Sequence, residues 1–339
     1  MSPAITTTQR LLWVVLVTLL LSYSTANYAT DPLPTVRLAT LQFGTASWEI
    51  DVIKHHNLDR KNGFLLHVTP LASKPSTIVA LQSKATDMIL SDWIWVSRRR
   101  NAGQLLSFFP YSKGVGGLVV PKGSSIRSIA DLPGKRVGIA GGPIDRNWLL
   151  IQALAKQQFK LDLDQSVNKV FGAPPLLYQK VLAGELDAVI NFWHYVAKLE
   201  TKGMRTVLSM SEAVEQLGFD NDIPMLGYVF YQDWARKNPQ LIHAMMNASR
   251  EAKQILNTSN AEWQRLRPRL KANGEAEFIA LREGFRKGTP SSQQITHPEK
   301  VSGLYALIAA LINQQATITS TDLAKGTFYI PPSQQSEQP

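Results

Sequence analysis

The chain has 339 residues, of which 44% are hydrophobic and 18% charged, so it can bury the cores of about two ordinary domains. It contains no cysteine, which excludes disulfides, thiolate metal sites, cysteine nucleophiles and the lipidated cysteine of a lipoprotein. The formal net charge is +10, but the basic residues are scattered, and Arg98-Arg99-Arg100 is the only tight run. We therefore expect no nucleic-acid partner and interpret the charge as a surface property.

An uncharged apolar run lies near the N-terminus. It covers residues 11–23, LLWVVLVTLLLSY, between Arg10 and the small residues 24–26. A helix needs roughly 20 apolar residues to cross a bilayer, so this shorter run predicts a cleaved secretory signal at residues 1–26. An uncleaved anchor is the alternative. Both interpretations predict export, and without a cysteine the protein is expected to be free in the periplasm.

Strand-like and helix-like runs alternate from residue 36 onward. The apolar or alternating runs at 36–44, 64–71 and 87–93 predict strands, and helical patterns lie between them at 48–57 and 75–84. Strands that alternate with helices of about ten residues indicate βαβ units and a largely parallel sheet.

A second alternating region begins near residue 112, where glycines flank a short apolar strand and suit a crossing between two lobes. A strand that ends in Gly141 and Gly142, a helix at 143–158 and the strand 187–193 follow in βαβ order. The run at 223–231 predicts a strand that crosses back, after which the pattern is helical.

Familiar catalytic and metal-binding patterns are absent from the sequence. There is no GxSxG, HExxH, GxxxxGK[ST] or GxGxxG after a strand. Among the histidines only His55 and His56 are close together, and adjacent residues on a regular helix do not share a face. We therefore predict no catalytic residue, no cofactor and no dedicated metal site.

Large aromatic residues follow four of the predicted strands, beside small or polar residues, at 44–48, 91–95, 141–148 and 191–195. In parallel sheets, ligands bind beyond the carboxyl ends of the strands, where these segments would converge. An aromatic wall with a few polar groups is typical of a small-molecule pocket. The alternative for any single tryptophan is ordinary packing.

Polar groups at the same strand ends complete the predicted site. Arg146 can hold a carboxylate or phosphate, and Asp145 can hold an amino group or, as an alternative, stabilise the start of its helix. Asn191 offers both a donor and an acceptor, and His194 either contacts the ligand or has a structural role. Acids at two further strand ends, Asp92 and Glu49, favour a nitrogenous ring as ligand. The predicted ligand-binding set is Trp48, Trp93, Trp193, His194, Asn191, Asp145, Arg146 and Asp92, with the backbone of Gly44 and Gly142.

Three segments of the chain are similar to one family of transport proteins. The segments DLPGKRVGIAGG (131–142), LLYQKVLAGELDAVINFWHY (176–195) and YQDWARKNPQLIHAMMNASREAKQIL (231–256) resemble the periplasmic substrate-binding proteins of ABC importers. Within that family, the branch for nitrate, taurine, alkanesulfonates and thiamine pyrimidine precursors is the most similar. The resemblance extends over roughly residues 36–260.

The resemblance implies an α/β, two-lobed periplasmic-binding-protein fold of type II. Each lobe would be a mainly parallel sheet flanked by helices, and two hinge crossings would join them. It assigns 36–115 and 228–325 to lobe 1 and 116–227 to lobe 2, and the polar, proline-rich end at 326–339 is expected to be a disordered tail.

It also implies a function. A monomer would capture a small organic ligand by closing its hinge and deliver it to an inner-membrane permease with its ATPase. The loop GGPIDRN stands where sulfonate binders have small hydroxyl residues, so an aromatic or nitrogenous, pyrimidine-like ligand is favoured over a sulfonate. One alternative is a periplasmic accessory or sensor protein that acts by protein contact. The other is an enzyme on this fold, which the absence of cysteine disfavours because the enzymatic relatives depend on cysteine.

Overall fold

The computed structural model describes residues 32–291, 299–315 and 320–331. The predicted signal at 1–26 and residues 332–339 of the predicted tail lie outside the described residues. The described residues from Pro34 onward form one compact unit, to which all the elements below belong. None of the helices in the described part of the chain combines the length and the apolar character that a membrane span requires.

The first of two five-stranded sheets has the strand order β2-β1-β3-β10-β4. Four of its strands are parallel to one another, and β10 is antiparallel to both of its neighbours. The strands are β1 (Thr35–Leu41), β2 (Leu65–Leu71), β3 (Met88–Ser91), β4 (Leu106–Ser112) and β10 (Leu226–Tyr231).

The second sheet repeats this arrangement with the order β7-β6-β8-β5-β9, and β5 is its antiparallel strand. Its strands are β5 (Gly117–Val120), β6 (Arg136–Ala140), β7 (Asn168–Gly172), β8 (Ala188–Asn191) and β9 (Arg205–Ser209). The chain passes from the first sheet to the second between β4 and β5 and returns between β9 and β10. The predicted two-lobed α/β fold with mainly parallel sheets is therefore confirmed.

Helices follow most strands and cover the faces of both sheets. They are α1 (Ala46–His55), α2 (Leu58–Lys61), α3 (Lys74–Gln82), α4 (Trp93–Asn101), α5 (Arg146–Phe159), α6 (Leu163–Ser166), α7 (Pro174–Leu182), α8 (Trp193–Thr201), α9 (Met210–Gln216), α10 (Gln232–Lys237), α11 (Pro239–Thr258), α12 (Asn260–Leu270), α13 (Glu275–Lys287) and α14 (Glu299–Gln315). Helix α14 packs against α5 in the second lobe, and its Tyr305 accepts a hydrogen bond of 3.2 Å from Asn101 on α4 in the first. The last described helix therefore contacts both lobes.

The boundaries of one strand and one helix differ from the sequence prediction, because in each case an aspartate caps the N-terminus of the following helix. The strand predicted at 87–93 stops at Ser91, and the side chain of Asp92 caps α4 by accepting from the Trp95 amide at 2.8 Å. The helix predicted at 143–158 begins at Arg146, because Asp145 caps it by accepting from the Asn147 amide at 2.9 Å. Both aspartates are thereby held at the carboxyl end of a strand.

Candidate ligand-binding cleft

A cleft lies between the two lobes at the carboxyl ends of their parallel strands. It encloses a cavity of about 110 Å³, which is smaller than the roughly 300–1,000 Å³ of pockets for drug-sized ligands. The first lobe supplies the ends of β1 and β3 and the starts of α1 and α3, and the second supplies the starts of α5 and α8. The cavity therefore suits a small ligand held by both lobes.

Six residues of the predicted set line this cavity. They come from four separate segments of the chain, which the fold brings together at one place. These residues are Gly44, Asp92, Asp145, Arg146, Trp193 and His194.

The tryptophans Trp48 and Trp93 do not line the cavity, although both follow strands as predicted. Trp48 packs edge-on against Trp193, at 6.0 Å between ring centroids, and against Trp263 at 5.8 Å. Trp93 is fully buried and packs against Phe328 at 5.9 Å. Trp48 is therefore surrounded by aromatic rings from other helices, and Trp93 lies in the core beside Phe328. Ordinary packing, the alternative given for any single tryptophan, therefore describes both residues. Trp48 contacts the cavity only indirectly, through its packing against Trp193.

Asn191 and Gly142 also lie outside the cavity lining. The Asn191 side-chain nitrogen donates to the Pro174 carbonyl at 3.0 Å, and its oxygen accepts from the Phe192 backbone amide at 2.8 Å. Its donor and its acceptor are therefore both used within the second lobe. Gly142 has φ +124°, a conformation that a side chain rarely adopts. Its role is to let the chain turn from β6 into α5.

Several lining residues are not in the predicted set. Six of them are apolar residues or glycine, namely Leu41, Ala46, Leu90, Gly114, Val115 and Leu226. Five others carry a hydroxyl or a charge, namely Thr45, Lys74, Thr77, Ser91 and Ser112, and Phe192 adds an aromatic ring. Lys74 is the most important of them because it adds a cation. The sequence signal for it was Ser73-Lys74-Pro75 directly after the strand at 64–71, where Ser73 caps α3.

The Trp193 ring packs between two glycines, Gly114 and Gly284, whose lack of a side chain leaves room for it. A Cβ atom on Gly284 of α13 would lie 2.6 Å from the Trp193 ring, and one on Gly114 would lie 2.9 Å from it. These distances are too short for real side chains, so glycine is required at both positions. The indole therefore contacts both the cavity and the opposite lobe.

Lys74 and Asp92 form a partly buried ion pair at the cavity wall. The Lys74 Nζ donates to Asp92 Oδ2 at 2.8 Å. Burial opposes ionisation of Asp92, but the charges of Lys74 and Arg146 and the hydrogen bonds from Lys74 and Trp95 outweigh it and lower its pKa to about 2. Asp92 is therefore a carboxylate at neutral pH.

Asp145 has the opposite tendency. Burial raises its pKa above the usual value, and the nearby carboxylate of Asp92 adds to the effect, although Lys74 and Arg146 oppose it. The cleft thus holds two cations, one firmly ionised acid and one acid that is shifted towards its neutral form.

Buried polar atoms at the cavity lack partners among the described residues. Arg146 Nη1 donates to the Met225 carbonyl at 3.2 Å, but its Nε has no acceptor. The hydroxyl of Ser91 and both ring nitrogens of His194 are likewise unpaired in the described part of the chain. Unpaired buried polar groups are destabilising, so these atoms are suited to bind a ligand or ordered water.

His194 is expected to make the protein less stable in acid. Burial, assisted by the charge of Lys198, lowers its pKa to about 3, whereas an unfolded histidine has a pKa of about 6.5. As the pH falls from 6.5 towards 3, the unfolded state takes up a proton that the folded state does not. Between pH 7 and pH 5 this linkage removes about 2 kcal/mol of stability.

Denaturant unfolding at both pH values measures this loss. In His194→Gln the decrease in unfolding free energy should be smaller by about that amount. His67→Gln, which changes an exposed histidine on β2, is the matched control. Equal decreases in wild type and His194→Gln would contradict a buried neutral imidazole.

Comparison with known proteins supplies the family. The profile described as NMT1/THI5 like matches residues 63–259, more than half of the chain. The chain belongs to the NMT1/THI5-like family. This family assignment confirms the resemblance predicted from the sequence. A sequence comparison with curated proteins finds no significant match.

Solved structures show how widely the NMT1/THI5-like chain shares its fold. The aliphatic sulphonate binding protein SsuA of Escherichia coli superimposes with a TM-score of 0.70 at 17% identity, covering 89% of this chain and 93% of that one. SsuA of Xanthomonas axonopodis pv. citri, bound to MOPS, gives 0.67 at 19% identity, with 89% and 99% covered. The nitrate-binding protein NrtA of Synechocystis PCC 6803 gives 0.57 at 13% identity, with 75% and 70% covered.

Proposed function

We propose that the protein is an exported, non-catalytic solute-binding protein. In this proposal it captures a small organic ligand between its two lobes in the periplasm and delivers it, as a monomer, to an ABC permease with its ATPase. The observation that carries the proposal is the cleft itself, where buried charged and unpaired polar groups from both lobes face one small cavity. A ligand that pairs with both sides would hold the lobes closed.

The charges of the cleft favour a ligand with both donors and acceptors. Arg146 and Lys74 offer donors to an acceptor or an anion. Asp145, Asp92 and the neutral imidazole of His194 can accept from an amino or ring N–H. A plain sulfonate or nitrate has only acceptors and would leave the acids facing an anion.

An amino-substituted pyrimidine-type ring meets both requirements, and Phe192 and Trp193 can pack against its faces. A zwitterionic aminosulfonate such as taurine also meets the electrostatic requirement. We favour the ring because the aromatic side chains lie on the second-lobe wall. Removing the aromatic contact tests this choice, since Trp193→Ala should weaken ring binding more than taurine binding.

A thermal-shift screen tests the proposed function. The purified protein is heated with cytosine, taurine, ethanesulfonate, nitrate or benzoate, each titrated to high concentration. A ligand that binds only the folded state adds about 2.7 kcal/mol of stability at 100 times its Kd, which corresponds to a rise in Tm of several degrees for lobes of this size. We expect the largest rise with cytosine, then taurine.

The pattern of responses decides between ligand classes. A rise with ethanesulfonate that exceeds those of cytosine and taurine would overturn the donor-and-acceptor argument while supporting solute binding. No rise with any compound of the panel would count against a small-molecule cleft of this chemistry. That result would favour the alternative in which the protein acts as an accessory or sensor by contact with another protein.

A further inference from the structure

Two histidines and a glutamate meet on the surface at the end of α1 that is remote from the cleft. His55 is exposed, His56 is half-buried and Glu262 is buried. One potential ligand atom from each side chain lies within 4.8 Å of the other two. Among the described residues, this is the group whose donor atoms are arranged to hold a metal ion.

The local backbone explains why adjacent histidines can share a side. His55 is the last residue of α1, and His56 has left the helix with φ −90° and ψ 5°. The argument that neighbours on a helix diverge therefore does not apply at this pair. Their rings meet edge to face, with centroids 4.9 Å apart.

The distance between His56 and Glu262 suits a shared cation. His56 Nε2 lies 3.2 Å from Glu262 Oε2, so the two atoms form an ion pair when the imidazole is protonated. Two ligand atoms at about 2.0–2.1 Å from a tetrahedral metal are about 3.4 Å apart. The exposed ring of His55 can rotate to supply the third ligand.

The residues around Glu262 hold its carboxylate in place. Arg265 donates to Oε1 from Nε at 2.9 Å and from a terminal nitrogen at 2.6 Å, which leaves Oε2 facing the histidines. Arg265 also pairs with Asp51 at 2.6 Å, and Asp51 pairs with Arg269. The two arginines and the two acids cancel in charge, so no net positive field opposes a cation.

We propose that His55, His56 and Glu262 form a binding site for a divalent transition metal, with Zn²⁺ as the best fit. Two imidazoles and one carboxylate are a donor set that Zn²⁺ accepts, and water would occupy the fourth position. The site joins the end of α1 to the first turn of α12. It is separate from the cleft, which α1 contacts through Thr45 and Ala46 at its other end.

Titration of the untagged, metal-free protein with zinc chloride, followed by calorimetry, tests the proposal. We expect one Zn²⁺ per chain and a rise in Tm at saturating metal. His55→Ala and His56→Ala should each weaken Zn²⁺ binding at least tenfold. His55 is exposed, so its removal should leave the fold intact.

His243→Ala is the matched control, because His243 is an exposed histidine on α11 far along the chain. It should bind Zn²⁺ as tightly as wild type. The proposal is overturned if wild type binds no Zn²⁺, or if either His55→Ala or His56→Ala retains the wild-type affinity. Glu262→Gln should also weaken binding, and its Tm without metal reports any loss of stability separately.

Discussion

Replacing Glu49 with glutamine should lower the free energy of unfolding by about 3–5 kcal/mol, because it leaves the Lys253 ammonium buried without its counter-charge. The exposed fractions of the two side chains are 0% for Glu49 and 6% for Lys253, so water cannot replace the lost partner. The pair joins α1 to α11 across 204 residues of sequence. We expect urea unfolding to show the loss as a lower midpoint at constant slope.

Glu49 is held by more than its ion pair. Its Oε1 accepts from the Tyr228 hydroxyl at 2.9 Å and from the Ser249 hydroxyl at 2.6 Å. The Lys253 ammonium also lies 4.3 Å from the centroid of the Tyr111 ring, which stabilises the cation further. Glutamine can keep one oxygen to accept from Tyr228 and Ser249, but its amide nitrogen cannot accept from the Lys253 ammonium as Oε2 does.

Two variants separate this effect from a general effect of removing a charge. Glu275→Gln removes one partner of the exposed pair with Arg267 at 2.7 Å, and it should cost less than about 1 kcal/mol. The double variant Glu49→Gln/Lys253→Met should be more stable than the sum of the single losses predicts, because it leaves no unpaired charge. A loss in Glu49→Gln no larger than that in Glu275→Gln would show that the network contributes little.

Replacing Arg146 with alanine should weaken binding of the best ligand of the screen by roughly 10- to 100-fold. Hydrogen bonds to charged groups contribute about 1.5–3 kcal/mol, and Arg146 Nε is a buried charged donor without an acceptor among the described residues. Removal of its positive charge should also raise the pKa of both Asp92 and Asp145, since Arg146 lowers both. Isothermal titration with cytosine or taurine measures the change.

Matched arginine variants make this test specific. Arg146→Lys keeps the charge but loses Nε, so its affinity should lie between those of wild type and Arg146→Ala. Arg136→Ala removes an exposed arginine of the same lobe, which pairs with Asp187 at 2.9 Å away from the cleft. It should bind as wild type does. Wild-type affinity in Arg146→Ala would remove this residue from the proposed site.

The alternation of strands and helices was readable from the sequence because it depends on local periodicity. The runs at 36–44 and 64–71 correspond to β1 and β2, and the run at 223–231 contains β10. Where the prediction extended too far, as at Trp93 and Trp193, the next helix had already begun at the tryptophan. Such boundaries depend on capping and on the neighbouring elements, which a window of sequence does not contain.

The cleft was only partly predictable. Asp92, Asp145 and Trp193 lie in the segments after strands and line the cavity, because topology alone brings those strand ends together. The direction of each side chain was not predictable, since Trp48 and Trp93 follow strands in the same way and yet pack in the core. Lys74 was missed because an N-terminal helix lysine is ordinarily a solvated surface residue.

The sequence by itself determined the class of the protein, because composition, the strand-helix rhythm and the family segments are properties of neighbouring residues. It also excluded every role that needs cysteine. Only the tertiary structure decided which groups share a site. Glu49 meets Lys253, Lys74 meets Asp92 and His56 meets Glu262 across long stretches of chain. Electrostatic and ligand interactions depend on distances of a few ångströms in space. The separation of two residues along the sequence does not reveal whether they are that close.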